Sequence, residues 1–158
     1  MKPTIWFRAL AVVLAIFTFG HTVGTRHAIT TAPQEAAVIA AMQGYRVPVM
    51  GFLRTYWEFY RGFSVYISVL LATLMVLAWQ LGTLSRRNPQ ATLPLAVTML
   101  LACVGQTIVS FIYFFSGPMV MSTLATICAA IGTVLTARDA RSAAAPLSTT
   151  TTRDASLR

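Results

Sequence analysis

Apolar residues in this chain fall in long uninterrupted runs divided by polar stretches. They show neither the strict alternation of a half-buried strand nor the single stripe of a soluble amphipathic helix. The run IWFRALAVVLAIFTFGHTV occupies about residues 5–24, and Arg8 is its only arginine or lysine. FSVYISVLLATLMVLAWQLGTL fills about residues 63–84 with no charged side chain. Two further runs, at about 93–115 and 118–137, are equally free of charge. A helix of about 20 residues covers the roughly 30 Å hydrocarbon core of a bilayer, so each run is long enough to cross. The pattern predicts an all-α fold, an integral membrane four-helix bundle.

The separators set the connections. Ser85–Arg86–Arg87–Asn88–Pro89 and Ser116–Gly117–Pro118 read as tight turns. The loop after the first run is longer, residues 25–62, and carries Arg26, Glu35, Arg46, Arg54, Glu58 and Arg61. Within it, Thr31–Ala32–Pro33–Gln34 predicts a helix start, with Thr31 as N-cap and Gln34 in the capping-box position. A short extra helix over 35–43 follows, closed by Gly44 and too short to cross a bilayer. The stretch FLRTYWEFYRGF then places Tyr56, Trp57, Tyr60 and Phe63 where an interfacial aromatic belt would lie. Residues 1–141 read as a single membrane domain. The tail 142–158 is rich in Ala, Ser and Thr and is expected to be a disordered cytoplasmic extension.

Composition agrees with the pattern. Apolar residues make up 56% of the chain and charged residues 10%, against about 25% charged in a soluble domain. The net charge of +8 does not indicate nucleic acid, because the arginines sit at the ends of apolar runs instead of clustering on one face. Lys2, Arg8, Arg86, Arg87, Arg138, Arg141, Arg153 and Arg158 would share one side, and Arg26, Arg46, Arg54 and Arg61 the other. The positive-inside rule then puts both termini in the cytoplasm of an inner (plasma) membrane and turns the loop 25–62 outward. The first run also resembles the apolar core of a signal peptide. No clean small-x-small cleavage site follows it, so an uncleaved helix is expected. Cys103 and Cys128 both lie in apolar runs without a CxxC spacing, which excludes a disulfide framework or zinc site of the usual kind. The two would lie at similar depth if the last two runs form a hairpin, and their rotation is left open.

Candidate chemistry gathers at the outward end. His21 sits in Gly20–His21–Thr22–Val23–Gly24 at the end of the first run, where flanking glycines would admit a close neighbour. On one helix, Glu58 would be flanked by Arg54 and Arg61, four and three residues away. This cluster either neutralises itself or offers an arginine to an anionic head group, with Trp57 and Tyr60 beside it. His21 and Glu58 are the candidate acid–base pair, and Arg54, Trp57, Tyr60 and Arg61 the candidate ligand-binding residues. Gln80 and Gln106, with Tyr66 and Tyr113, read as interhelical hydrogen-bonding groups, and Ala102–Gly105 and Ala129–Gly132 as sites of close helix packing. No metal-ligand spacing, phosphate loop or nucleophile elbow occurs, and nothing in the residues names a cofactor.

GHTVG, AAVIAAMQGYR and MGFLRTYWEFYRGFSVYISVLLATLMVLAWQL together resemble a family of small bacterial four-helix inner-membrane proteins of unassigned function. The likeness covers roughly residues 5–84, with a looser match beyond. It implies four helices and a bacterial envelope location, and no activity or catalytic residue. The helix count is also similar to that of small sterol-isomerase-like and DoxX-like membrane proteins, a likeness of architecture only. The leading expectation is a non-enzymatic protein that sits in the lipid bilayer and binds a lipid, an isoprenoid or a partner subunit through its outward loop. The alternative is a membrane enzyme of isomerase or redox type, acting on an apolar substrate with the His/Glu/Arg set. A transporter or channel component is the third reading, for which four helices would call for a homo-oligomer.

Overall fold

The computed structural model describes residues 2–26 and 32–144. Among them are five helices: α1 (Pro3–Arg26), α2 (Pro33–Gly44), α3 (Tyr56–Arg87), α4 (Pro89–Tyr113) and α5 (Ser116–Ala144). Strands β1 (Arg46–Val49) and β2 (Phe52–Thr55) form an antiparallel hairpin between α2 and α3. Helices α1, α3, α4 and α5 are each long and apolar enough to cross a membrane, consistent with a multi-pass membrane protein. Large apolar side chains such as Ile16, Phe19, Val69, Leu101, Ile108 and Phe111 are exposed, while serines and threonines such as Ser64, Thr92, Ser122 and Thr136 are buried.

The helices run longer than the apolar runs alone predict. Expected at 63–84, the second long helix begins at Tyr56 because Thr55 caps it. Thr55 Oγ1 accepts from the Glu58 amide at 3.1 Å, and the Thr55 amide donates to Glu58 Oε2 at 2.7 Å. Its 32 residues extend about 48 Å, well beyond a 30 Å core. The expected turn at 85–89 shrinks to one residue. Asn88 ends α3 and caps α4, its side chain accepting from the Ala91 amide at 3.0 Å, and Pro89 starts α4 where no amide donor is required. The turn expected at Ser116–Gly117–Pro118 lies instead at Phe114–Phe115, and those three residues form the first turn of α5. Helix α5 also continues through Arg138, Asp139 and Arg141 to Ala144, so 142–144 are helical and not part of a tail. Residues 145–158 lie outside the described residues.

The loop between α1 and α3 departs most from expectation. Thr31, the expected N-cap of α2, lies outside the described residues, and Ala32 occupies the N-cap position without a side-chain hydrogen bond. The stretch read as an aromatic belt opens as a strand. Met50 and Gly51 make a two-residue turn with φ of 47° and 87°, the all-positive conformation that suits a tight hairpin. Tyr45 and Tyr56 stack across the hairpin's base, with ring centroids 5.9 Å apart.

Packing does not follow chain order. Helix α1 packs along α3 on one side and α5 on the other, and α5 packs along α4. Helices α3 and α4, although joined by one residue, touch far less. The seam between α1 and α5 sets large residues against small ones. Helix α1 presents Phe7, Leu10, Leu14 and Phe17, and α5 presents Ala125, Ala129 and Gly132. A Cβ on Gly132 would lie 2.9 Å from Cε1 of the Phe7 ring, which is fully buried. The close packing expected at Ala129–Gly132 is therefore present. A Cβ on Gly105 would meet no neighbour within 4 Å, and Ala102 is exposed, so the close packing expected at Ala102–Gly105 is not found among the described residues.

Gly132→Ala is expected to destabilise the bundle by about 1–3 kcal/mol, the range for overpacking. Thermal unfolding in detergent measures it. Phe7→Leu in the same chain should recover part of the loss, and a simple sum of two losses would sink the steric account.

Candidate functional site

Helices α1 and α3 are antiparallel, and polar contacts hold them at both ends. At the loop end, His21 Nδ1 lies 3.1 Å from Ser68 Oγ, and Thr22 Oγ1 donates to the same oxygen at 2.9 Å. Ser68 Oγ donates to the Ser64 carbonyl at 3.2 Å. A serine hydroxyl has one proton, so Ser68 accepts from both Thr22 and His21. That count assigns the proton of a neutral His21 to Nδ1 and leaves Nε2 as a free acceptor. Thr25 Oγ1 donates to the His21 carbonyl at 2.8 Å and Ser64 Oγ to the Tyr60 carbonyl at 3.0 Å. Helix back-bonding of this kind lets hydroxyls lie on an apolar helix without unpaired protons.

A groove of about 320 Å³ opens over this network. Thr22, Thr25, Ser64 and Ser68 supply its hydroxyls, and Arg26 and Arg61 stand at its exposed rim. Neither arginine makes an ion pair among the described residues. The sequence missed Arg26, Thr22, Thr25, Ser64 and Ser68. Their spacing is the available signal: 22, 25 and 26 share one face of α1, and 61, 64 and 68 one face of α3.

The remaining expected site residues lie elsewhere. Arg54 is on β2 instead of on the helix, yet its Nη1 comes within 3.6 Å of Glu58 Oε1 because Thr55 turns the chain directly into α3. Glu58 is thus held by Thr55 and Arg54, and Arg61 does not flank it with an ion pair. Arg54 and Glu58 line a separate open depression with Phe59, Gly62, Phe63 and Tyr66. Trp57 stacks on Tyr60, with centroids 5.4 Å apart. His21 meets α3 at Ser68, ten residues beyond Glu58 and about 15 Å along the helix axis. The structure therefore brings Arg61 to the groove beside His21's partner Ser68, and leaves Glu58, Arg54, Trp57 and Tyr60 outside it. Among the described residues no neighbour lies within 4 Å of a Cβ placed on Gly20 or Gly24, so no close approach at these glycines is seen.

Gln80 and Gln106 are also separate. Gln80 lines a cleft between α3 and α4, whereas Gln106 Oε1 is buried without a hydrogen-bond partner among the described residues. Cys103 and Cys128 are both buried and both free, in the same apolar core. Among the described residues, no group of three His, Cys, Asp or Glu side chains is placed to hold a metal ion.

Two measurements check the network. The ring nitrogen shifts of neutral His21 should report the Nδ1–H tautomer, and Ser68→Ala should shift the population towards Nε2–H; an unchanged spectrum would refute the hydrogen-bond count. His21→Ala and Ser68→Ala should couple by about 0.6 kcal/mol in a double-mutant cycle of detergent stability.

No family model, curated protein or solved structure matches the chain, and its site is read from geometry alone.

Proposed function

We propose that the chain is a multi-pass inner-membrane protein with cytoplasmic termini that binds the anionic head group of a lipid or isoprenoid phosphate in the groove between α1 and α3. The single observation that carries this reading is the pair Arg26 and Arg61, both without a carboxylate partner among the described residues, at the rim of a hydroxyl-lined groove. Two guanidinium groups form a set suited to phosphate oxygens, while the groove's hydroxyls already donate within the helices. Membrane residence is supported by the four long apolar helices and by the large apolar side chains that they expose. With loop 25–62 outward, the groove lies at head-group depth, and the aromatic residues Tyr56, Trp57 and Tyr60 lie beside it at the membrane interface.

The enzyme reading would need a neighbouring acid and base. His21 offers Nε2 as a base, but Glu58 is engaged by Thr55 and Arg54 in a different depression. Binding without chemistry is therefore the reading that the geometry favours.

Native mass spectrometry of the detergent-purified chain tests it. Titrated with phosphatidylglycerol or an isoprenyl phosphate, the wild type should show one bound lipid whose affinity falls roughly 25-fold in Arg26→Gln/Arg61→Gln, about fivefold for each arginine. Affinity unchanged in a double variant of normal melting temperature would sink the proposal.

A further inference from the structure

The opposite end of the bundle carries a second cluster of unpaired cations. A cleft of about 510 Å³ separates α3 from α4. Leu74, Leu77 and Leu81 form its α3 wall, Leu95 and Met99 its α4 wall, and Arg87 stands at its polar mouth. Behind the wall is Arg8 of α1. Its guanidinium carbon lies 3.3 Å from the centroid of the Trp79 ring, and its Nη2 donates to Thr83 Oγ1 at 2.9 Å. Trp79 and Thr83 both line the cleft. Arg8 Nη1 is shielded from solvent and has no hydrogen-bond partner among the described residues.

Among the described residues no counter-ion pairs with Arg8 or Arg87. The chain has no Asp or Glu between residues 59 and 138. Asp139 is the one carboxylate that α5 brings to this end, and it is exposed, with Arg138 beside it and Arg141 two positions on. A cation held in apolar surroundings is costly unless paired. The Trp79 face offsets part of that cost for Arg8, whereas Arg87 is exposed at the end of α3, where its guanidinium is open to a ligand.

We infer that this cleft binds an anionic phospholipid, with its phosphate at Arg87, the Arg8 charge supporting it through the Trp79–Thr83 wall, and one acyl chain along the leucines. Dimensions support this occupant. Leu74 to Leu84 spans ten residues, about 15 Å, half of a roughly 30 Å core and so one leaflet. The volume falls in the range of small-molecule sites, about 300–1,000 Å³. The inference shares with the α1–α3 groove only the premise that the bundle lies in a bilayer.

The test uses the full chain carrying Arg26→Gln/Arg61→Gln, so that binding in the α1–α3 groove is weakened roughly 25-fold. Native mass spectrometry compares retention of phosphatidylglycerol with that of phosphatidylcholine of identical chains. Phosphatidylglycerol should be held in preference. Arg87→Gln should weaken its retention roughly fivefold, the weight of one basic residue at an anionic lipid, while Arg87→Lys keeps most of it. Ala102→Trp, or Thr98→Trp on the same wall, should fill the cleft and abolish retention. Equal retention of the two lipids would overturn the inference, as would wild-type retention of phosphatidylglycerol in Arg87→Gln and both tryptophan variants at an unchanged melting temperature. Because the α1–α3 groove is already weakened, such a failure would leave the α1–α3 proposal standing.

Discussion

The approach of α1 to α5 is the contact on which the bundle depends. Phe7 lies on Gly132 with no room for even a methyl group between them. Where apolar burial gives little drive for one helix to leave lipid for another, close van der Waals contact and a few hydrogen bonds must hold helices together. The small residues of α5 make that contact available. Gly132 receives Phe7, the buried Ala125, Ala129 and Thr136 belong to the same helix, and Thr133 donates to the Ala96 carbonyl of α4 at 3.2 Å. Helix α5 is in this way the element through which α1 and α4 share one core.

Once α1 is fixed against α5, its polar residues have to face α3. Thr4 meets Ser85 at 3.3 Å, Arg8 reaches Thr83, and His21 with Thr22 reaches Ser68. These contacts lie towards the two ends of α1, and leucines fill the middle. The arrangement sets rotation and register together, because sliding α3 by one residue would separate every pair. It also leaves Arg26 and Arg61 at one groove and Arg8 and Arg87 at the other, away from the apolar middle of the bundle.

Much of this was legible in the sequence. Length and absence of charge define the long helices, because a bilayer-sized apolar run has few other solutions. That His21 and Arg61 share one end of the bundle was legible too, since both lie where their runs meet the loop 25–62. The hairpin was not. Pro48 interrupts the strand pattern, and Met50 takes a positive φ that its side chain disfavours. The capping residues were misplaced for a related reason. Thr31–Gln34 and Thr55–Glu58 both satisfy the S/T-x-x-E/Q rule, and only the second is seen to use it. The pairing of Glu58 with Arg61 failed because the same carboxylate caps the helix, which draws it towards Thr55 and Arg54. The roles of Ala102–Gly105 and Ala129–Gly132 could not be told apart from composition, because small-residue spacing gives no helix rotation.

Side-chain size explains why one seam is closed and another open. Large residues of α1 meet small residues of α5, and the backbones come together. On the α3–α4 seam Leu74, Leu77 and Leu81 line the cleft opposite Leu95 and Met99, and the smaller Thr98 and Ala102 of α4 leave space between the helices. Bulk against bulk holds two helices apart even when a single residue, Asn88, ties their ends. Pro94 adds to this, because it removes the amide that would bond the Gln90 carbonyl and so loosens the first turns of α4. The cleft is therefore a consequence of the same packing rule that closes the core, applied where α4 carries no counterpart to Gly132.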